Sequence, residues 1–336
     1  MKLATIASSG PDGQLVVVSP DGGRMLPAPA PTLQAALEDW ATVEPALRAL
    51  AKRLADGEGS LLDPARCRAP LPRAWQWLDG STFSSHSELM QMAFNMPPIE
   101  TSLPLMYQGL SDRFLGPLDD VPLPSEDEGI DFEGEFGIIT DAVPMGVSAD
   151  DAMAHIRLIV QINDWSLRVV APVEMKTGFG WIHAKPACSA APFAVTPDAL
   201  GEAWQDGRVA LPLTVDLNAA RFGAARGDAM TFGFHELIAH AAHSRSLPAG
   251  TIIGSGTVSN DDYRQVGSSC IAERRGIEIV DEGAPRTPFM RFGDRVRMEA
   301  RGLDGGILFG VIDQQVVRAG AGDERGKAGP AGRHGA

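Results

Sequence analysis

Glu133 and Glu135 are the residues from which a chemistry can first be read. They sit in Asp131-Phe132-Glu133-Gly134-Glu135-Phe136-Gly137-Ile138-Ile139-Thr140, where acidic and apolar residues alternate before the run Gly-Ile-Ile-Thr. In a β-strand residues two apart share a face, so the two carboxylates project side by side, with Phe132, Phe136 and Ile138 on the other side. Neighbouring carboxylates repel unless something positive lies between them, and a divalent cation held by oxygen is the simplest candidate. An exposed edge strand with a solvated acidic face carries the same pattern. The stretch alone leaves both readings open.

Other positions carry groups suited to such a site. Asp79 lies at a turn after Trp75-Gln76-Trp77-Leu78, and His86 follows seven residues on, near the start of a helix expected over Ser87–Asn95. A lone His there is commonly structural or merely exposed, so its place near Asp79 does not by itself make it catalytic. The β-branched run Ile156–Ile162 reads as a buried strand that delivers Asp164 at its end, within Asn163-Asp164-Trp165-Ser166-Leu167-Arg168. Lys176–Pro186 is rich in glycine and holds Lys176 and Lys185, the composition of a loop that approaches a ligand closely, or of a solvated loop. Thr251–Asn260 reads as a strand and a glycine turn in which Thr257 offers a hydroxyl. It lacks the third glycine and the following helix of a dinucleotide-binding turn, so that chemistry is set aside.

The elements that must position these groups are legible in outline. Leu3–Ser8 and Gln14–Ser19 read as strands joined across Gly10-Pro11-Asp12-Gly13, and Thr32–Leu54 has helical apolar spacing. Pro64, Pro70 and Pro72 mark a linker, which sets off residues 1–70 as a small N-terminal α/β domain from a larger domain over 71–317. Pro97–Gly129 keeps Tyr107, Phe114 and Leu115 among its prolines, which favours an ordered, functional loop. Paired strands are expected over 208–233, and an amphipathic helix over Phe234–Arg245. His240 and His243 share a face of that helix, more naturally its polar side than a metal site. Gly276–Val280 and Gly306–Val317 read as closing strands, and 318–336 as a disordered tail.

Composition narrows the function classes. With 44% hydrophobic and 21% charged residues, the 336-residue chain is an ordinary globular protein with room for a core. A formal charge of −14 argues against nucleic acid as the main partner but leaves room for an anionic small substrate, which needs only a few local cations. Met1–Ile6 lacks the long apolar core of a secretory signal, and no stretch reaches membrane-spanning length. A cytoplasmic protein with no membrane partner is therefore expected. Cys67, Cys188 and Cys270 are widely spaced and read as small buried side chains rather than a disulfide or zinc framework.

Taken in order, Asp79 with His86, Tyr107-Gln108-Gly109, Glu133-x-Glu135, Asn163-Asp164-Trp165-Ser166-x-Arg168, Lys185-Pro186 and Gly254-Ser255-Gly256-Thr257-Val258-Ser259 resemble the fumarylacetoacetate hydrolase family over roughly residues 75–317. The resemblance implies an α+β, β-rich fold with a C-terminal mixed β-roll behind the N-terminal domain, and a homodimer. It implies a Mg²⁺ or Ca²⁺ ion, with Mn²⁺ also compatible, held by Asp79, Glu133, Glu135 and Asp164. A hard cation suits an oxygen-only set. It further implies His86 as general base and Lys185, Tyr107, Arg168 and Thr257 as contacts to a small oxo-acid substrate. The implied activity is hydrolysis of a C–C bond in a β-diketo acid such as 4-fumarylacetoacetate, in aromatic or tyrosine breakdown. A hydratase, isomerase or decarboxylase of a 2-oxo acid would use the same scaffold.

The departures bear on substrate. Where the family's best-known hydrolase holds the far end of its substrate with Tyr, Arg and Gln, this chain has Ser81, Asn95 and Ala171. The Glu that partners the catalytic His falls near Ile271 when Gly267 is aligned. Glu273, two residues later and on the same face of an expected strand, is the substitute.

Overall fold

The computed structural model describes residues 1–95, 97 and 101–320. The expected tail, 318–336, falls outside these from 321 onward, and Arg318 itself ends a strand, Ile307–Arg318.

One sheet carries both the N-terminal unit and the carboxylates. Its main path runs Ser60–Leu61, Arg24–Pro27, Gln14–Val18, Lys2–Ile6, Phe193–Val195, Ile156–Asn163, Gly134–Thr140, Thr251–Gly254, Gln76–Gly80 and Met106–Gln108. Lys2–Ile6 pairs with Phe193–Val195, so the first strands of the chain extend the sheet of the larger part. The helical stretch near residue 40 is two helices, Leu33–Glu38 and Trp40–Ala55, which break at Asp39. Leu33, Leu37 and Leu47 pack with Leu3, Leu158 and Val160 to cover one sheet face.

A second, five-stranded sheet packs on the other face. Its order is Ala220–Arg226, Pro212–Leu217, Arg295–Arg301, Ile307–Arg318 and Val121–Leu123. Phe136 and Ile138 point toward it and join Leu213, Val215 and Phe309 in the main core. The Asn218-Ala219 turn takes φ of 50° and 65°, the left-handed pair that lets a tight hairpin follow the strand twist.

One open alternative is closed and one strand expectation is corrected. Gly134–Thr140 is no edge strand: it lies between Ile156–Asn163 and Thr251–Gly254, and all its residues are buried. Gly276–Val280 is no strand either, because Ile271–Glu282 is a helix. Asp131 accepts the free N–H groups of Ile271 and Ala272, and Gly283 closes the far end at φ 84°. Gly276 has no side chain to hold the neighbouring Ser84–Phe94 helix away, since a Cβ there would meet Met90 at 2.4 Å. Alternating Ile277 and Ile279 mimicked a strand, but long-range capping and helix packing decide the conformation.

Candidate metal centre and active site

Three strand ends of the same sheet bring the acidic groups together. Asp79 stands opposite Gly254 in the parallel pair Gln76–Gly80 and Thr251–Gly254, and opposite Tyr107 on its other side. Glu135 comes from the strand next to Thr251–Gly254, and Asp164 follows the Ile156–Asn163 strand directly. Gly254 makes the approach feasible: a Cβ there would lie 2.3 Å from Asp79 Oδ1 and 3.0 Å from Glu135 Oε2.

Oxygens of Asp79, Glu135 and Asp164 lie within 4.8 Å of one another, and all three residues are buried. Burial, and then the charges of Asp79 and Asp164, push the Glu135 carboxyl well above the usual range. Burial and the Asp164 charge raise Asp79 to about 8. Both Glu135 oxygens lack a hydrogen-bond partner among the described residues. Two orphaned carboxylate oxygens in an otherwise packed sheet are what a hard cation with oxygen ligands would satisfy, so the donor set fits Mg²⁺, Ca²⁺ or Mn²⁺.

Glu133 stands apart from that triad. Its Oε2 accepts from Lys185 Nζ at 3.0 Å, and its Oε1 from Ser166 Oγ at 3.1 Å and faces Arg168 at 2.5 Å. Burial alone would raise this carboxyl, but Arg168 and Lys185 outweigh it and hold Glu133 far below the usual range. Lys185 also lies 2.5 Å from Asp164 Oδ2, which accepts from Tyr107 Oη at 2.6 Å as well. Burial disfavours the Lys185 charge, yet Asp164 and Glu133 keep the ammonium protonated well beyond its ordinary range.

His86 lies within the first turn of the Ser84–Phe94 helix, its Nδ1 4.0 Å from Glu273 Oε1. Burial lowers its pKa to about 4, so the imidazole is neutral near pH 7 and able to accept a proton. Glu273 reaches this place from a helix, not from the expected strand. Its Oε1 accepts from Ser259 Oγ, which in turn accepts from Ser85 Oγ at 2.8 Å. Thr257 is buried on the loop after Thr251–Gly254.

Asp131 has a part that sequence reading did not assign. Its Oδ2 accepts from Arg168 Nε at 2.8 Å while the same carboxyl caps the Ile271–Glu282 helix, so one residue orients Arg168 and seats the helix that carries Glu273. The signal was present, since Asp131 lies two residues before Glu133 in the same alternation. Cys188, read only as a small buried side chain, donates its thiol to Asp164 Oδ1 at 2.9 Å.

Beside Tyr107 opens a cavity of about 990 Å³, walled by Trp181, Phe232, His240, His243 and Arg245. Trp181 meets Tyr107 edge to face at 6.0 Å, while Phe179 in the same loop is 97% exposed. The helix that bears His240 ends at Ala241, short of the expected Arg245.

Comparison with known proteins gives matches in sequence family and in fold. The fumarylacetoacetate (FAA) hydrolase C-terminal domain matches residues 76–317, and the fumarylacetoacetase N-terminal domain 2 matches residues 1–73. A 2,4-didehydro-3-deoxy-L-rhamnonate hydrolase of a Sphingomonas species is 29% identical over 163 residues, 48% of this chain and 54% of that protein. Fumarylacetoacetase of Caenorhabditis elegans is 28% identical over 197 residues, 52% of this chain and 45% of that protein. A human mitochondrial oxaloacetate tautomerase is 24% identical over 162 residues, 46% of this chain and 48% of that protein. The chain spans about half the length of the curated relatives it matches. Among solved structures, maleylpyruvate hydrolase from a Sphingobium species, in complex with manganese(II) and pyruvate, superposes with TM-score 0.64 at 18% identity. The match covers 95% of this chain and 100% of that one.

Proposed function

The chain belongs to the fumarylacetoacetate hydrolase family, and from that premise we propose that it is a divalent-metal-dependent hydrolase of a β-diketo acid. The substrate class includes 4-fumarylacetoacetate, cleaved to fumarate and acetoacetate. The observation that carries the reading is the pair of orphaned Glu135 oxygens beside Asp79 and Asp164, with the neutral His86 facing Glu273 at 4.0 Å nearby. A homodimer, which rests on family membership, and a cytoplasmic setting are part of the proposal; among the described residues no helix is long and apolar enough to cross a membrane.

Asp79, Glu133, Glu135 and Asp164 would hold the cation, and Glu133 would also keep Lys185 and Arg168 in place beside it. The cation supplies Lewis acidity and neutralises developing negative charge. His86 takes a proton from water as the water oxygen bonds to the carbonyl carbon. Lys185, kept charged by its two carboxylates, donates a hydrogen bond to the oxyanion that forms. When the C–C bond breaks, its electron pair leaves with the enolate of the departing acid, and the proton on His86 is returned to that carbon. Glu273 keeps the imidazole oriented and balances its transient charge. Tyr107, Arg168 and Thr257 are assigned to substrate contacts.

A second reading is isomerisation, tautomerisation, hydration or decarboxylation of a 2-oxo acid by the same groups. It is favoured by Ser81, Asn95 and Ala171, which remove three far-end contacts, and by the tautomerases among the relatives. The test is an assay on fumarylacetoacetate with metal stripped and restored, products identified by mass, with Glu135→Ala alongside. Cleavage that needs both the cation and Glu135 supports the hydrolase. Absence of cleavage with metal bound transfers the assay to oxaloacetate, acylpyruvates and 2-oxopentenoates, and turnover there supports the second reading.

A further inference from the structure

Next to the oxygen-only triad lies a group of different chemistry. Donor atoms of His86, Cys270 and Glu273 lie within 4.8 Å of one another, and Cys270 and Glu273 are both 0% exposed. Two of these donors have no partner among the described residues: His86 Nδ1 and Glu273 Oε2. Cys270 caps the twelve-residue helix Ile271–Glu282, its Sγ accepting the Glu273 N–H at 3.3 Å. Burial, and then the Asp131 charge, holds the Cys270 thiol well above its ordinary range, so a metal ion has to displace its proton. The backbone of Cys270 also bridges that of Glu133, so this cluster abuts the carboxylate triad without sharing a ligand with it.

We propose that His86, Cys270 and Glu273 form a second cation site, selective for Zn²⁺, and that its occupation stops turnover. Nitrogen, thiolate and one carboxylate oxygen are the ligand set of a three-coordinate protein zinc site with an open fourth position, whereas Mg²⁺ and Ca²⁺ have little affinity for sulfur. Tetrahedral zinc with bonds of about 2.0–2.3 Å places its donors roughly 3.3–3.8 Å apart, so the present spacing of at most 4.8 Å would close by roughly 1.5 Å or less on binding. The metal displaces the thiol proton of Cys270 to solvent, with no change of oxidation state. A zinc ion on Nδ1 separates His86 from Glu273 and gives the imidazole a cationic neighbour, which removes its basicity. The loss of turnover, unlike the binding, rests on His86 being the base.

The probe is Co²⁺ titrated into protein already saturated with Mg²⁺, read by its thiolate-to-cobalt charge-transfer absorbance, with Zn²⁺ used to displace the signal. The expected result is one equivalent of band-forming Co²⁺ in the native chain, no band in Cys270→Ser, and at least tenfold weaker binding in Glu273→Gln. Ser retains the helix-capping oxygen, and Glu273→Gln provides a second variant that keeps the thiol. Zinc should lower the turnover of the Mg²⁺-loaded native enzyme at least tenfold, and that inhibition should be lost in Cys270→Ser relative to the variant's own zinc-free rate. No band would overturn the site and leave the base role of His86 untouched. A band lost in Cys188→Ser but kept in Cys270→Ser would place the metal at Asp164 and overturn it too. A band without inhibition would overturn the arrest, and with it the reading of His86 as the base.

Discussion

Lys185 Nζ lies 2.5 Å from Asp164 Oδ2, and the same ammonium reaches Glu133 Oε2 at 3.0 Å. A cation shared by two buried carboxylates neutralises charge that would otherwise stand unpaired. Removing one partner of such a pair costs about 3–5 kcal/mol, because the remaining charge stays buried. Lys185→Met should therefore lower the stability of the metal-free protein by about that much, measured by urea unfolding. Added Mg²⁺ should recover more stability in the variant than in the native chain. An equal effect of Mg²⁺ on both would separate Lys185 from the cation site.

Asp131 predicts a coupled loss. Its two oxygens serve Arg168 and two helix N–H groups, and an amide has only one oxygen to accept with. Asp131→Asn should cost about 1–3 kcal/mol in unfolding free energy and at least tenfold in kcat/KM, although Asp131 lies outside the carboxylate triad. Loss of stability with unchanged kcat/KM would leave Asp131 as a helix cap alone.

The pH dependence of stability should reverse with metal. Asp79 is raised by burial, then by Asp164, to about 8, above its unfolded value of 3.8. A group raised in the folded state contributes stability fully present below the unfolded pKa and lost as pH rises through the folded one. Metal-stripped protein should therefore melt at progressively lower temperature from about pH 4 to about pH 8. The cation removes that penalty, so the gap in Tm between loaded and stripped protein should widen as pH rises. A constant gap would mean that Asp79 does not meet the cation.

Gly254 gives a steric test. A Cβ at Gly254 would lie 2.3 Å from Asp79 Oδ1 and 2.4 Å from the Trp77 ring. Gly254→Ala should cost about 1–3 kcal/mol by overpacking, and calorimetric titration should show Mg²⁺ affinity reduced at least tenfold. Unchanged affinity with reduced stability would show that the carboxylates tolerate the displacement.

The sequence by itself determined the family and the β-rich α+β plan. The order of Asp79, Glu133-x-Glu135, Asp164 and Lys185-Pro186 lies in residue types and spacing, which are local properties. Alternation around Glu135 also marked which side chains share a strand face. Only the tertiary structure decided that this strand is interior, because its second edge pairs with Thr251–Gly254, more than a hundred residues away. It also decided how the acidic groups divide, with Glu133 bound to Arg168 and Lys185 while the Glu135 oxygens stay free. Such pairing depends on distances between side chains remote in sequence. The helix carrying Glu273 was hidden for the same reason: the caps and contacts that favour it come from Asp131 and Met90, while the local run of Ile277 and Ile279 suits a strand equally well.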